Sequence, residues 1–237
     1  MSLAVVVPAY QAERHLEPTV ERLFAARPTD LRAVIVVDDG SRDGTSAAAE
    51  RLRAAHPEVQ LVRRTSNGGY GAAMKDGLRS AAEAEVVAGV HADGQYSPEA
   101  LPRLLEERAR RGLDLLQGSR ISAGTALAGG MPLYKYLGNA ALNVLENAAL
   151  GLGLSDYHSG YLIYGRRALR EIPFSRLSDS FDFDLEVLAA ARARGLAIGE
   201  APIPTHYGDE VSHLRPVRYG LRVLRVLLRY KAGRYDA

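Results

Sequence analysis

The sequence predicts an α/β fold, a mostly parallel sheet flanked by helices. Three observations lead there. Apolar, β-branched runs alternate with amphipathic segments of about 10–15 residues, the rhythm of β–α–β crossovers. Those runs are apolar at nearly every position, as strands covered on both faces are. Several stop at an acid, a glycine or an amide, and ligands of such sheets bind beyond the carboxyl ends of the strands.

The elements follow in order. Residues 4–7 read as a strand and 15–26 as a helix; 33–37 and 45–55 repeat the pair. A short strand at 59–62 precedes a helix over 70–82. A fourth strand at 86–90 precedes a helix over 98–110, with Pro98 suited to its first turn. Residues 113–117 make a fifth strand. After Arg120 the rhythm breaks: 122–130 is a Gly-, Ala- and Ser-rich loop, 132–150 a long helix and 161–164 a strand. A helix over 183–194, a strand over 197–201 and an extended exit at 202–204 complete the body. With no repeat or low-complexity linker, residues 1–214 read as one domain. Residues 215–237 read as a basic amphipathic C-terminal helix, either part of that domain or facing a membrane.

The composition is that of a soluble globular protein, with 47% hydrophobic and 24% charged residues in 237. No cysteine is present, which excludes disulfides and thiolate metal sites and fits a reducing cytoplasm. The first residues carry no basic segment and do not read as a signal peptide. The richest late apolar run, 140–154, is interrupted by Asn143, Glu146 and Asn147, short of the roughly 20 residues that cross a bilayer. Net charge is +2, but seven basic residues and no acid lie between Arg215 and Arg234. That leaves 23 basic against 27 acidic residues in 1–214. The asymmetry speaks against a general nucleic-acid binder and for one localised contact.

Six constellations carry chemistry. Asp38 and Asp39 end an apolar strand, where either accepts hydrogen bonds from a base or ribose, or caps a turn. Asn67-Gly68-Gly69-Tyr70-Gly71 opens a helix; its backbone N–H groups suit an anion, or a tight turn. His91, Asp93 and Gln95 alternate, so an extended segment projects them to one side. With a ligand diphosphate, Asp93 and Gln95 supply the oxygens that Mg²⁺ or Mn²⁺ prefers; alone, the segment reads as an Asp-Gly turn. Gly118-Ser119-Arg120 ends another strand with a residue able to grip phosphate or simply to sit exposed. Asp156 and His158 precede a strand, while Asp182 and Asp184 open a helix. Each is a candidate general base, and the helix-opening acids are also natural caps. No nucleophile elbow accompanies them, which excludes a serine hydrolase.

Taken in order, Pro8-Ala9-Tyr10, Val37-Asp38-Asp39-Gly40-Ser41, Asn67-Gly68-Gly69, Ala92-Asp93-Gly94-Gln95-Tyr96, Gly118-Ser119-Arg120 and Ser159-Gly160-Tyr161 resemble the family 2 glycosyltransferases, within them the dolichol-phosphate mannosyltransferase-like group. The resemblance covers roughly residues 3–214. It implies a GT-A (Rossmann-like) fold, a nucleotide-sugar donor, Mg²⁺ or Mn²⁺, and inversion at the anomeric carbon. It also implies nucleotide contacts at Pro8, Tyr10, Val37, Asp39, Asn67, Ala92 and Asp93, with Asp39 facing the base. Asp93 matches the metal- and diphosphate-binding acid, with Gln95 and His91 beside it. Arg120 matches a phosphate-contacting arginine, and Lys135, His158, His206 and His213 fall among residues near the acceptor. The sequence departs from the pattern at His91, which replaces a first acid, and at Ala12, where a glutamate is common. Gly130-Met131-Pro132 and Tyr157-His158-Ser159-Gly160 resemble a bacterial branch of the group.

The expected activity is transfer from a UDP- or GDP-sugar to a polyprenyl phosphate, which is already anionic and needs no base. The alternative is a hydroxyl acceptor on a saccharide or small molecule, with Asp184 or Asp156 as base. A non-catalytic nucleotide-sugar binder is the second alternative. A sugar nucleotidyltransferase is disfavoured because no Gly-rich basic loop follows the first strand, and an oxidoreductase because no dinucleotide fingerprint is present. In the tail, Arg218, Arg222, Arg225 and Arg229 share a helical face, and Val217, Leu221, Leu224, Leu227, Leu228 and Tyr230 form an apolar one. Such a helix lies on an anionic membrane, giving a cytoplasmic protein at the inner face, or packs on the domain or a second subunit. A homo-oligomer is compatible with this pattern.

Overall fold

The computed structural model describes residues 1–122, 124, 127, 130–204 and 216–236. Seven strands form one sheet: β1 (Leu3–Ala9), β2 (Leu31–Asp38), β3 (Val59–Arg63), β4 (Val86–Gly89), β5 (Leu115–Ser119), β6 (Leu162–Gly165) and β7 (Ile198–Pro202). Their order is β3-β2-β1-β4-β6-β5-β7. Strands β1 to β4 run parallel, as do β5 and β7, while β6 is antiparallel to both of its neighbours. The expected mostly parallel sheet is therefore present. The reversed strand was not visible in the sequence, because an apolar run of four residues reads the same in either direction.

The helices are α1 (Leu16–Ala25), α2 (Thr45–Ala55), α3 (Tyr70–Ser80), α4 (Leu101–Arg110), α5 (Leu133–Leu150), α6 (Arg166–Glu171), α7 (Phe183–Ala193) and α8 (Pro216–Lys231). Pro98 opens a single 3₁₀ turn ahead of α4 rather than the α-helix itself, and α6 is a short helix the sequence did not announce. The loop expected over 122–130 lies partly outside the described residues.

Two apolar layers enclose the sheet. Along β1, Leu3, Val5 and Val7 join Leu16 and Val20 of α1 and Leu52 of α2 on one side. Ala4 and Val6 join Met74 of α3, Leu188 of α7 and Val223 of α8 on the other. Alternation on a strand covered on both faces produces this division. Each fully buried Val or Leu contributes roughly 1.5–3 kcal/mol.

Helix α8 packs on the domain. Val223, Val226 and Leu227 enter the core, Arg222 pairs with Asp182 at 3.1 Å, and Arg229 pairs with Glu186 at 2.6 Å. Two of the four arginines thus turn inward onto α7, while Leu221, Leu224 and Leu228 of the expected apolar face stay exposed. The side chain of Val217 lies outside the described residues.

Candidate active site

The strand order changes direction at β1, whose neighbours are β2 and β4. A crevice opens at such a switch point, beyond the carboxyl ends of the strands. Some of the sequence-predicted residues lie along this edge, and others do not. Ala9 and Asp38 are level in register, and the Asp39 N–H donates to the Ala9 carbonyl at 2.9 Å, so Tyr10 and Asp39 emerge side by side. The two loops are stitched together by Gln11 N–H to Ser41 Oγ at 3.0 Å and Ala12 N–H to Thr45 Oγ1 at 2.8 Å.

The paired acids divide their work. Asp38 caps its own turn, accepting from Ser41 N–H at 3.0 Å and from the Ser46 hydroxyl. Asp39 is 2% exposed and accepts from the N–H groups of Gly68 and Gly69, each at 2.9 Å, with Arg64 Nε 2.8 Å away. The glycine cluster does receive an anion through its backbone, but that anion is the chain's own Asp39. Gly69 has φ +98°, and a Cβ there would meet the Asp179 carbonyl at 2.4 Å, so only glycine fits.

From this clamp a continuous line of contacts runs to the predicted phosphate residue. Tyr70 begins α3, its ring 5.0 Å from that of His91 and its hydroxyl 3.2 Å from His91 Nε2. His91 meets Tyr96 edge-on at 5.1 Å, and the Arg120 guanidinium lies 5.8 Å from the Tyr96 ring centre. Asp93 and Gln95 form the expected turn, Gln95 N–H donating to Asp93 Oδ1 at 3.0 Å around Gly94 at φ +70°. Burial is the main cause that lowers the His91 pKa; Asp93 opposes it and Arg120 adds to it. The ring is therefore a neutral, packed wall of the crevice at neutral pH.

Arg120 is buried and forked onto Asp156, Nε to Oδ2 at 2.7 Å and Nη2 to Oδ1 at 2.8 Å. Asp156 also accepts from the backbone N–H groups of Arg120 and His158, both at 3.2 Å. Burial pushes its pKa up, but the Arg120 charge and hydrogen bonds outweigh that, and the net direction is down. Asp156 is thus a fixed counter-ion, poorly suited to the base role expected of it. Asp184 differs. It is buried beside Tyr70, its Oδ1 has no partner among the described residues, and burial raises its pKa to about 7 against the opposing Tyr70 hydrogen bond. Gly160 leaves room beside both His91 and Asp184. A Cβ there would stand 2.2 Å from His91 Nε2 and 3.3 Å from Asp184 Oδ2.

His158, expected near the acceptor, instead turns inward. Nδ1 is 2.9 Å from the Tyr219 hydroxyl and Nε2 is 3.3 Å from Glu146, whose side chain is fully buried. Its two ring nitrogens tie α5 to α8. His206 and His213 lie outside the described residues, as does the side chain of Lys135. Tyr70, Tyr96 and Gly160 lie within the sequence motifs, but the motifs alone assign them no role. The aromatic following a Gly-Gly or Gly-Gln pair was the available signal.

A divalent cation fits this crevice only in company. Among the described residues no three His, Cys, Asp or Glu side chains cluster as a ready-made metal site. Asp93 is a hard oxygen ligand whose Oδ1 accepts from Gln95 N–H. A diphosphate would have to supply further oxygens.

Residues 4–173 match the glycosyl transferase family 2 profile. The chain is 34% identical over 203 residues to the polyprenol monophosphomannose synthase of Mycolicibacterium smegmatis, covering 84% of this chain and 75% of that protein. It is also 34% identical over 206 residues to the undecaprenyl-phosphate mannosyltransferase of Micrococcus luteus, covering 86% and 83%. Among solved structures it is similar to glucosyl-3-phosphoglycerate synthase from Mycobacterium tuberculosis, crystallised with Mn²⁺, UDP and phosphoglyceric acid. The TM-score is 0.71 at 19% identity, over 97% of this chain and 78% of that one. That likeness bears on the fold, which is GT-A.

Proposed function

This chain belongs to glycosyl transferase family 2, and from that membership we propose that it moves a sugar from a UDP- or GDP-sugar to a polyprenyl phosphate, with inversion. One observation carries the reading. The line of contacts from Asp39 through Gly69, Tyr70, His91 and Tyr96 to Arg120 joins the nucleotide, metal and phosphate motifs into one crevice. The activities of the two mannosyltransferase relatives support the acceptor class.

Pro8 and Tyr10 line the base end, whereas the Val37 side chain, expected there from the sequence, is fully buried in the core and leaves only its main chain to contribute. Asp39, already clamped, keeps spare acceptor capacity on its two oxygens for a base N–H. Asn67 and Ala92 flank the ribose and diphosphate. Asp93, with Gln95 beside it and the donor's diphosphate opposite, would hold Mg²⁺ or Mn²⁺, which when bound offsets charge on the leaving nucleoside diphosphate. His91 walls the site and excludes water rather than completing a ligand set. Arg120 is held by Asp156 in one orientation, so its charge is presented to a phosphate without reorganisation. The acceptor's own anionic oxygen attacks from the face opposite the diphosphate.

A second reading has its own observation. The Oδ1 of Asp184, without a partner among the described residues, and a pKa of about 7 suit a base for a hydroxyl acceptor. Labelled UDP- and GDP-sugars offered with undecaprenyl phosphate, undecaprenol and soluble saccharides separate the two. Label confined to the phosphorylated lipid supports the proposal. Label on undecaprenol or saccharide, lost in Asp184→Asn, supports the second reading. Binding of donor with no transfer to any acceptor would favour a non-catalytic binder.

A further inference from the structure

Three polar side chains from separate elements form one chain of hydrogen bonds at the back of the crevice. Tyr70 opens α3, Asp184 lies in the first turn of α7, and His91 stands two residues beyond β4. The Tyr70 hydroxyl is hydrogen-bonded to Asp184 on one side and lies 3.2 Å from His91 Nε2 on the other. Asp184 Oδ1 has no partner among the described residues, so Tyr70 is the acid's one hydrogen-bonding outlet among them. The surroundings are aromatic. Phe183 stands edge-on to Tyr70, Tyr96 edge-on to His91, and Tyr164 keeps a buried hydroxyl that is likewise unpartnered among the described residues.

A hydroxyl has one proton, so it donates to one neighbour and accepts from the other. The direction of the chain is therefore set at its ends. Burial lets Asp184 keep its proton up to about pH 7, and in that form the acid donates to Tyr70 and Tyr70 donates to His91 Nε2. Burial also keeps the His91 ring neutral. A neutral imidazole whose Nε2 accepts carries its proton on Nδ1. The ring is only half-buried, and its Nε2 is occupied, so the edge with Nδ1 is the one left for a ligand.

We propose that Tyr70 and Asp184 are positioning residues that fix the tautomer of His91, making its Nδ1–H a neutral hydrogen-bond donor to a phosphate oxygen of the nucleotide. The departure from the family pattern at His91 then has a purpose. A carboxylate there repels a diphosphate unless a cation lies between them, whereas an N–H attracts it directly. The ring is held in place before any ligand arrives, by the Tyr70 hydroxyl, by Tyr96, and by Gly160, where a Cβ would stand 2.2 Å from Nε2. A donor fixed in advance needs little reorganisation on binding. The inference rests on the proposed function in one respect, that the crevice receives a nucleoside diphosphate; the tautomer itself does not depend on it.

Nitrogen-15 NMR of the full chain with labelled histidine reads the tautomer, because protonated and unprotonated ring nitrogens resonate apart, and His91→Gln identifies the signals. At pH 6.5 wild type should show Nδ1 protonated and Nε2 not. Asp184→Asn should keep that pattern, since its amide N–H donates to Tyr70 as the acid does. Tyr70→Phe should lose it, the signals moving toward an average of the two tautomers. Calorimetry with UDP and GDP, each with Mn²⁺, should show the affinity for the nucleotide that binds falling about tenfold in Tyr70→Phe, the worth of one hydrogen bond to a charged group. A wild-type His91 protonated on Nε2, an unchanged tautomer in Tyr70→Phe, or wild-type affinity in that variant would overturn the proposal. The NMR signature needs neither nucleotide nor turnover. A chain that shows it, binds nucleotide and transfers no sugar counts against the proposed function and leaves the relay standing.

Discussion

At the residue scale, Asp184 and the Arg120–Asp156 pair are two opposite uses of a buried carboxylate. Burial raises the Asp184 pKa to about 7, above its ordinary range. The folded protein therefore keeps a proton that the unfolded chain has released. That protonated form is fully stable below the ordinary carboxylate pKa, and the advantage is lost as pH rises through about 7. Chemical denaturation between pH 4 and 9 should show wild type losing a few kcal/mol over this window while Asp184→Asn stays flatter; parallel curves would assign the dependence elsewhere. In the other pair, Arg120→Ala strands Asp156, whose side chain is fully buried, and should cost about 3–5 kcal/mol. Adding Asp156→Ala should recover part of that loss, as measured by a double-mutant cycle. The acids were visible in the sequence and their partners were not. Asp156 lies 36 residues from Arg120, and no local spacing distinguishes a clamped carboxylate from a lone one.

At the element scale, the glycine loop and α8 carry the clearest consequences. Gly69→Ala puts a Cβ against the Asp179 carbonyl at φ +98° and should cost about 1–3 kcal/mol. It should also raise the KM for donor more than it lowers kcat, because it loosens the clamp on Asp39 rather than the reacting groups. On α8, Arg229→Ala leaves the 1%-exposed Glu186 without its cation and should destabilise by about 2–4 kcal/mol. The exposed Arg225→Ala should change stability by no more than about 0.5 kcal/mol, a contrast that urea unfolding would read. The alternation of strands and helices was legible because periodicity is local. The reversal of β6, the inward arginines of α8 and the outward leucines of α5 were not, since each depends on what lies across the fold.

At the scale of the whole molecule, the chain separates the proposed donor site at the β1–β4 switch point from a basic, apolar face on α5 and α8. The 154–158 segment connects them. The order of six modest motifs was legible because strand ends in a parallel sheet share one edge. The sequence could show neither that the glycine loop binds Asp39 nor that α5 presents its apolar side to solvent. The central claim rests on Asp93. Its most direct test is transfer of label from a panel of UDP- and GDP-sugars to undecaprenyl phosphate, with Mn²⁺ or with chelator, in wild type and Asp93→Ala. The account predicts a labelled lipid that appears only with the cation and falls at least about a thousandfold in the variant. Equal turnover in chelator, or in Asp93→Ala, would contradict it.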